Sequence, residues 1–564
     1  MTRERTHWRK RGKDRLTRRR FLGGLGGIGL ASFTDPAGRA SATIGSAADS
    51  PPGDDGQFAA PDELEAFVDD VLTRRIGNVT PGASVAIVEG DTPLLTKGYG
   101  DADVDTGVPV TADETPFRVG SVGKLVTYTA VMQGVERGVV ALDEDVNTYL
   151  EGSEVTVPET YDVPVTLRHL GTHTAGFESV LDPEIVTDRD ELAPLGRLLA
   201  DHQPSRVRPP GETVAYSNYG AALAGHIVAE VHDTTFEEYV QSELFEPLEM
   251  THSTFAQPVP DGHPGDLAAG HTRDGETFTT TDEVFINMRP AGAMSATAND
   301  MAAFMSAHLG TGAVGDTRIL KADTARTMHD RHHVRHPAVT NWRYGFYEYG
   351  DPEGDLLGHS GATIDFTSQL VLAPGHDVGI FVTYNSNSSK PPAAVVDEII
   401  AEYDLQPSPT APPRTPGDQE RAKRVAGEYS VTHLPQSGPL QVVELLERVS
   451  VEPAGNGRLL TTTLDGDARQ WVETKPYVYR EDGGHDVLAF EVADGDVETM
   501  YLSSDPTGSY EPVPFHERQL VTGSVLGTAL TGFGLSLVGW SAVGGWRRWA
   551  DRTTDGETDT EETG

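Results

Sequence analysis

The positions of the strand-like segments within residues 60–404 constrain the fold most. A β-like stretch, ASVAIVEGDTPLLTKGYG, stands near the start of this span, with a turn at Gly90-Asp91. Two more strand-like runs, FTSQLVLAP and DVGIFVTYN, return only near its end. Helical patterns fill the middle and also open and close the span, as DELEAFVDDVLTRRI and AAVVDEIIAEY. Strands at both ends with helices between them predict one sheet assembled from both ends of a single continuous domain.

The chain has 564 residues, which is too long for one ordinary core, so we expect two or more domains. Residues 43–59 are small and polar and form a predicted spacer before the domain at 60–404. Residues 405–420 include QPSPTAPPRTPGD and are typical of a proline-rich linker. Short alternating runs such as LQVVELL and VLAFEV predict a small antiparallel β domain at 421–515, whose role the sequence does not indicate.

Residues 1–42 have the layout of a signal peptide. Ten basic residues precede a short glycine-rich apolar run from Phe21 to Phe33, and small residues near Ala42 offer a cleavage site. The run TRRRFL at 17–22 resembles the twin-arginine export motif. A basic leader without export function and an uncleaved anchor are the alternatives.

A second segment points to a membrane near the C-terminus. Residues 519–546 contain no charged side chain. A helix of that length spans about 40 Å, enough to cross a hydrocarbon core of about 30 Å. The positive-inside rule then places the tail at 547–564 in the cytoplasm and residues 43–518 outside it. The sequence thus predicts a location at the cell membrane with the catalytic domain extracytoplasmic, and a buried glycine-rich helix is the alternative.

Acidic residues are spread along the whole chain. The formal net charge is −42, and residues 1–42 carry +8, which leaves −50 for the rest. Only eight of the 44 basic residues are lysines. This balance predicts a protein kept soluble in strong salt and argues against a nucleic-acid surface. Because the chain has no cysteine, it has no disulfide, thiolate nucleophile or Cys-zinc site.

One of the few lysines stands in an apolar stretch. The run RVGSVGKLV at 118–126 places Lys124 three residues after Ser121. If a helix begins at the serine, both side chains lie on one face. A buried lysine beside a hydroxyl can lose its proton or hold a neighbouring anion, because desolvation lowers its pKa, and this is one way to activate a serine. Alone the S-x-x-K spacing is a weak signal, since it recurs by chance.

Two further motifs accompany this pair. YSN at 216–218 lies in a loop that runs into an apolar helix, and HSG at 359–361 lies just before the strand FTSQLVLAP. Together the three motifs resemble the serine β-lactamase and penicillin-binding-protein superfamily, nearest its class C and esterase-like branch. Four accessory segments also follow in that family's order: LRHLGTHTAGF, LFEPLEMTHSTF, PAGAMSATANDMAAFM and YGF. The resemblance implies an α/β fold with a β-lactamase/transpeptidase-like sheet flanked by helices, a helical subdomain, and the site between them.

The resemblance also implies a role for each matched residue. Ser121 would be the nucleophile that the substrate acylates, Lys124 would support its deprotonation, and Tyr216 would exchange protons with the serine and the leaving group. Lysine and tyrosine both have ordinary pKa values near 10, so the two should titrate as a coupled pair. The backbone N–H groups of Ser121 and Ala362 would form the oxyanion hole. The implied substrate-binding residues are Asn218, His359, Gly361 and Ala362.

His359 departs from the family pattern, since many relatives have lysine there. A lysine would be a permanent cation for a substrate carboxylate, whereas histidine is largely neutral at pH 7. This favours the esterase or aminopeptidase-like branch over β-lactam or C-terminal carboxylate recognition. The predicted function is an exported, membrane-anchored serine hydrolase that acts through a Ser121 acyl-enzyme on small-molecule or peptide-like esters or amides. No cofactor and no metal are expected, and the sequence leaves the oligomeric state open.

Other interpretations of individual motifs fit the sequence less well. GHSGA at 358–362 imitates the G-x-S-x-G nucleophile elbow, but a strand-like run follows it where that elbow needs a helix. HDRHHVRH at 329–336 has histidine spacing that suits a metal, yet it precedes a proline and fits a solvated loop better. His169 and His173 are expected to pack near the site rather than to act as bases. The alternative function is a catalytically inactive sensor or binding protein on the same fold.

Overall fold

The computed structural model describes residues 61–179, 185–407, 418–437, 447–463 and 466–518. Several predicted segments lie outside the described residues: the signal peptide at 1–42, the spacer at 43–59, most of the linker at 405–420, the transmembrane helix at 519–546 and the tail at 547–564.

A seven-stranded antiparallel sheet forms the centre of the first domain. Its strands are β1 (Gly82–Glu89), β2 (Thr92–Asp103), β3 (Val108–Pro109), β12 (Tyr347–Tyr349), β13 (Leu356–Ala362), β14 (Thr367–Ala373) and β15 (Val378–Tyr384). Their order across the sheet is β12-β13-β14-β15-β1-β2-β3. Strand β1 pairs with β15 from Ala83–Tyr384 to Glu89–Val378. This confirms the prediction of one sheet built from both ends of the domain.

Helices cover both faces of this sheet and form a separate helical layer. Their bounds are α1 (Pro61–Thr73), α2 (Gly123–Arg137), α3 (Leu167–Gly171), α4 (Leu195–Asp201), α5 (Asn218–His232), α6 (Phe236–Val240), α7 (Arg289–Gly292), α8 (Ala298–Leu309), α9 (Ala322–His329) and α10 (Ala393–Glu402). One more helix, α11 (Gln419–Arg424), packs against the second domain instead. Helices α1 and α10 pack on one face of the sheet, and α8 packs on the other. Every residue of β14 and β15 is therefore buried, which explains the apolar runs LVLA in β14 and VGIFV in β15, where polar residues do not alternate.

The central helix of the helical layer is α2. Its residues from Gly123 to Gly134 are all buried, so it has no solvent-facing stripe. Helix α5 packs against it and is buried from Tyr219 to Ala229. The N-terminal ends of both helices meet at the edge of the sheet, and this meeting point positions the candidate site.

Four short ribbons of paired strands connect the layers. They are β4 (Phe117–Arg118) with β9 (Ser295–Ala296), β5 (Ile185–Val186) with β8 (Phe285–Ile286), β6 (His271–Asp274) with β7 (Thr277–Thr280), and β10 (Ala313–Val314) with β11 (Thr317–Arg318). The β4–β9 ribbon holds the residues before Ser121 against the segment that follows α7.

The second domain is a closed antiparallel barrel. Its eight strands are β16 (Gly427–Val431), β17 (Arg448–Gly455), β18 (Arg458–Thr462), β19 (Ala468–Lys475), β20 (Val478–Glu481), β21 (Val487–Ala493), β22 (Asp496–Leu502) and β23 (Tyr510–Pro512). The pairing of Val431 with Tyr510 closes the barrel. Large buried side chains that include Trp471, Tyr479 and Phe490 form its core, so the interior is packed with side chains.

The fold class predicted from the sequence is wrong at its C-terminal end. The small antiparallel β domain predicted at 421–515 is present as a closed eight-stranded barrel, but the transmembrane helix that the sequence adds to the fold class has no counterpart in the described residues. None of the helices in the part of the chain that the structure describes is long and apolar enough to cross a membrane. Alternating residues predict strands, but closure depends on the pairing of β16 with β23, about 80 residues apart, which local periodicity does not encode.

Candidate active site

Ser121 lies in a tight turn that leads directly into α2. The turn is a 3₁₀ helix, Gly120–Val122, and α2 begins at the next residue. Gly120 has φ +53°, and a Cβ there would lie 2.8 Å from the backbone N of Ala362. Only glycine combines that left-handed backbone with so close an approach. The turn therefore places Ser121 beside both the first turn of α2 and the end of β13.

Lys124 occupies the first turn of α2 and is 0% exposed. Its Nζ donates to Ser121 Oγ at 2.8 Å and to Asn218 Oδ1 at 2.8 Å. It also donates to the backbone carbonyl of Ala291, which lies in the four-residue helix α7. An ammonium carries three N–H donors, and these three acceptors offset the cost of removing it from water.

Helix α5 brings the second motif to the same place. Ser217 is its N-cap, and the Ser217 side chain accepts the backbone N–H of Gly220 at 3.0 Å. Serine is among the preferred N-cap residues, so the sequence fixes the start of this helix locally. Asn218 is then the first helical residue and Tyr216 the last loop residue. The centroid of the Tyr216 ring lies 4.9 Å from Lys124 Nζ, which is within cation–π range.

The third motif lies at the free end of strand β13. The neighbouring strand β12 pairs only with Leu356 to Gly358, so the rest of β13 faces the turn that carries Ser121. A Cβ at Gly361 would lie 2.1 Å from the carbonyl of Val119 and 3.1 Å from the backbone N of Ser121. The structure thus brings the backbones of Ser121 and Ala362 side by side. Their use as an oxyanion hole stays a prediction.

His359 is buried beneath the site rather than exposed in it. Its side chain is 1% exposed, and its Nδ1 donates to the carbonyl of Ser360 at 2.6 Å. Burial, and secondarily the charge of Lys124, lower the pKa of His359 to about 3. The ring is therefore neutral at ordinary pH and cannot offer a positive charge to a substrate carboxylate.

His173 supports the loop that carries Tyr216. Its side chain is buried, and Nδ1 accepts the backbone N–H of Ser217 at 3.1 Å. Its ring lies 4.3 Å from the ring of Tyr216, centroid to centroid. Burial and the charge of Lys124 hold the pKa of His173 well below its usual range. His169 accepts the backbone N–H of Thr166 at the start of α3, so both histidines pack and hydrogen-bond near the site.

A pocket opens beside Ser121. It is lined by Ser121, Ile185, Asn218, Ile286, Met288, Ala291, Gly292, Ala362 and Thr363. None of these nine described lining residues carries a positive charge, and three of them are large apolar side chains. Sequence reasoning missed six members of this lining. Ala291 and Gly292 lie in the accessory segment PAGAMSATANDMAAFM, and this motif could have indicated that they line the site. Ile185 and Ile286 are brought together by the pairing of β5 with β8, which no local motif indicates.

The competing interpretations do not fit the structure. Ser360 lies within strand β13, which pairs with β14 and is not followed by a helix, so it is not a nucleophile elbow. His329 Nε2 lies 3.1 Å from Nδ1 of the buried His308, and His336 Nδ1 accepts the backbone N–H of Ala338. Over the described ranges no group of three or more His, Cys, Asp or Glu is arranged to hold a metal ion.

Comparison with known proteins identifies relatives of the first domain. The family model described as Beta-lactamase matches residues 64–405. The "Penicillin-binding protein 4" of Amycolatopsis lactamdurans is 31% identical over 313 residues, which cover 53% of this chain and 79% of that protein. "Protein flp" of Staphylococcus aureus strain N315 is 25% identical over 325 residues, which cover 56% of this chain but only 61% of that protein.

A solved structure extends the likeness in fold beyond the family segment. The octameric penicillin-binding protein homologue from Pyrococcus abyssi matches with a TM-score of 0.52 and 22% sequence identity. The match covers 80% of this chain and 99% of that one. At this identity the match shows shared fold alone.

Proposed function

The chain belongs to the β-lactamase family, and from that premise we propose that it is a serine hydrolase that works through an acyl-enzyme on Ser121. The observation that carries this proposal is the 2.8 Å contact between Lys124 Nζ and Ser121 Oγ beside an open pocket. A fully buried lysine in contact with a hydroxyl is the arrangement expected for activating a serine nucleophile.

Acylation follows from this contact. The amine of Lys124, when neutral, accepts the hydroxyl proton of Ser121 while Oγ forms a bond to the carbonyl carbon of the substrate. Tyr216, whose ring lies 4.9 Å from Nζ, can share that proton. The carbonyl oxygen becomes an oxyanion, and the adjacent backbone N–H groups of Ser121 and Ala362 would stabilise it.

Acylation ends when the tetrahedral intermediate collapses. The bond to the leaving alcohol or amine breaks, and that group takes the proton held by Lys124 and Tyr216. Deacylation repeats these proton transfers with water in place of Ser121. A water molecule then attacks the acyl carbon and gives a proton to the same pair. When the carboxylic acid leaves, Ser121 Oγ recovers its proton, so the net reaction is hydrolysis of one ester or amide bond.

We also propose that the preferred acyl group is neutral and apolar. His359 is buried and neutral, and the described pocket lining carries no cation to pair with a carboxylate. Ile185, Ile286 and Met288 instead present apolar surface beside Ser121. Hydrophobic contact with such a pocket favours a neutral aliphatic ester or amide over a carboxylate-bearing substrate such as a β-lactam.

Labelling with a fluorophosphonate probe tests the catalytic proposal. Attack by Oγ forms a bond to phosphorus and expels fluoride, so the label reports an activated serine. The full chain should be labelled, and Ser121→Ala should not be. Ser360→Ala is the matched control, because Ser360 lies in β13, the strand beside the turn that carries Ser121. This variant should be labelled like the native chain. Labelling that survives in Ser121→Ala, or that Ser360→Ala abolishes, would overturn the assignment. A native chain that is never labelled would support the inactive binding protein.

A comparison of substrates tests the acyl preference. We expect kcat/KM for p-nitrophenyl butyrate to exceed that for a chromogenic cephalosporin at least tenfold, an order-of-magnitude expectation from the loss of one charge-assisted contact. Equal or reversed values would contradict a neutral acyl site while leaving the serine mechanism intact.

A location outside the cytoplasm remains a proposal that rests on the sequence at 17–22. Twin-arginine export depends on the two guanidinium groups, so replacing Arg18 and Arg19 by lysine should retain the protein in the cytoplasm. Unchanged export in a fractionation experiment would contradict this route.

A further inference from the structure

A loop of the barrel reaches the candidate active site. The loop Ser503–Ser509, here called the barrel loop, connects β22 to β23. It lies between two segments of the first domain, residues 214–216 and 335–342. Gly508 forms an antiparallel bridge with Ala215, immediately before Tyr216. The barrel therefore contacts the chain segment that carries a predicted catalytic side chain.

The first connection to Tyr216 is through its backbone. The N–H of Tyr216 donates to the carbonyl of Thr507 at 3.0 Å. The next N–H, that of Ser217, donates to His173, and α5 begins one residue later. The position of Tyr216 is thus fixed on one side by the first domain and on the other by the barrel loop.

The second connection is through the ring of Tyr216. The indole N–H of Trp342 donates to the carbonyl of Pro506 at 2.7 Å, and Trp342 is 0% exposed. Trp342 meets the ring of His173 edge-on, with centroids 4.7 Å apart. His173 in turn lies against the ring of Tyr216 at 4.3 Å. The barrel loop, Trp342 and His173 therefore form a continuous support behind the tyrosine.

Arg335 holds the barrel loop in this position through hydrogen bonds. Its guanidinium donates to the carbonyls of Asp505 and Gly508, each at 2.7 Å, and to the carbonyl of Leu502 at 3.3 Å. Thr340 Oγ1 adds a bond to the carbonyl of Ser503 at 2.6 Å. The planar fork of an arginine can join several carbonyls at once, which a lysine cannot reproduce.

From these contacts we infer that the barrel loop is a positioning element for Tyr216, so that the second domain completes the active site of the first. Proton transfer depends steeply on donor–acceptor geometry, and a misplacement of about 1 Å can cost roughly a hundredfold in rate. Arg335 and Trp342 then act through Tyr216 and are positioning residues. This inference rests on the proposed serine mechanism.

The test uses the full chain with three single variants. Arg335→Met removes the guanidinium bonds to the carbonyls of Leu502, Asp505 and Gly508. Trp342→Phe removes only the indole N–H and part of the ring behind His173. Arg480→Met is the matched control, because Arg480 also joins the two domains, through Asp351 at 3.0 Å, but does not contact the barrel loop. The fluorophosphonate burst amplitude counts folded sites, and the labelling rate reports their activation.

We expect Arg335→Met to lower the labelling rate per folded site at least about tenfold, with Trp342→Phe lowering it about threefold to tenfold. The pH midpoint of labelling should also shift in both variants, because the Lys124–Tyr216 pair is altered, whereas Arg480→Met should keep the native rate and midpoint. Loss of amplitude with a native rate and midpoint in both variants would mean that the barrel only stabilises the fold, and would overturn the inference. A native chain that is never labelled would instead contradict the proposed function.

Discussion

Lys124 is completely buried, yet three oxygen acceptors surround its ammonium group. An isolated buried cation would cost several kcal/mol or more, so these acceptors compensate the charge, and one of them is Ser121 Oγ, the atom proposed to react. A lysine amine can act as a base once it has lost its proton, which a guanidinium cannot do in a protein. Retaining a lysine here in a lysine-poor chain is consistent with that requirement.

Lys124→Arg should lower kcat/KM for any substrate found by at least about a hundredfold, because arginine cannot be deprotonated in a protein. The loss should match that of Lys124→Ala within about tenfold. Lys97→Arg is the control, since Lys97 pairs with Glu65 and Asp69 on the surface, and it should keep native activity. If Lys124→Arg keeps most of the activity, the lysine acts only through its charge.

The buried His359 should make stability depend on pH. Its pKa in the folded protein is about 3, below the ordinary value of 6.5, so the unfolded chain binds more protons between these pH values. The contribution to stability is therefore fully present above about pH 6.5 and is lost as the pH falls below it. One such group changes the free energy of unfolding by about 1.4 kcal/mol per pH unit in this window.

Denaturant unfolding of His359→Gln between pH 4.5 and 6.5 measures this effect. The slope of the unfolding free energy against pH should decrease by about one proton relative to the native chain. An unchanged slope in His359→Gln would mean that the folded protein binds a proton at this ring.

At the scale of elements, the site forms where three element ends meet. The turn before α2 carries the serine, the N-cap of α5 places Tyr216 and Asn218, and the free end of β13 supplies the backbone opposite them. The short strand β12 leaves that end of β13 without a strand partner on its outer side. Glycines at 120 and 361 then allow the two backbones to approach closely.

Gly361→Ala should disrupt this junction. The added Cβ would lie 2.1 Å from the carbonyl of Val119, so β13 and the turn that carries Ser121 must separate. We expect a loss of about 2–4 kcal/mol in unfolding free energy and at least about a hundredfold loss of labelling rate per folded site.

Gly375→Ala is the matched control for this substitution. Gly375 lies in an exposed turn, and nothing stands within 4 Å of its hypothetical Cβ. This variant should be within about 0.5 kcal/mol of the native chain and fully active. Native labelling by Gly361→Ala would contradict the close approach described here.

At the scale of the whole molecule, the two domains are joined by polar contacts that buried arginine and tryptophan side chains make. Arg208 forms a bidentate pair with Glu511 of the barrel at 3.0 and 2.8 Å, and the Arg208 side chain is 8% exposed. Arg335 and Trp342 add bonds from buried side chains to the barrel loop. Contacts of this kind fix the relative register of two surfaces because each unmet donor would be costly.

The high negative charge should make stability depend on salt. The net charge is −42, so surface carboxylates repel one another. The Debye length over which this repulsion acts is about 3 Å at 1 M salt and grows to about 30 Å at 0.01 M. We therefore expect the Tm of the full chain to fall as NaCl is lowered from molar to millimolar concentration. A Tm that does not change over this range would contradict the prediction of a protein adapted to strong salt.

The sequence by itself determined the main elements and the proximity of Ser121 and Lys124. Apolar runs at both ends of 60–404 predicted the sheet because buried strands need such runs, and the spacing of Ser121 and Lys124 predicted one helical face because that geometry is local. The site roles assigned to Tyr216, Asn218 and Ala362 came from motif resemblance and stay predictions, although the structure places these residues together.

Only the tertiary structure decided what depends on contacts between distant segments. The burial of His359 beneath the site, the apolar lining from the β5–β8 ribbon and the closure of the barrel have no periodic or spacing signal. The contact between Thr507 and Tyr216 joins residues almost 300 positions apart. Such contacts are set by how whole domains pack, and side-chain chemistry read along one segment does not contain that information.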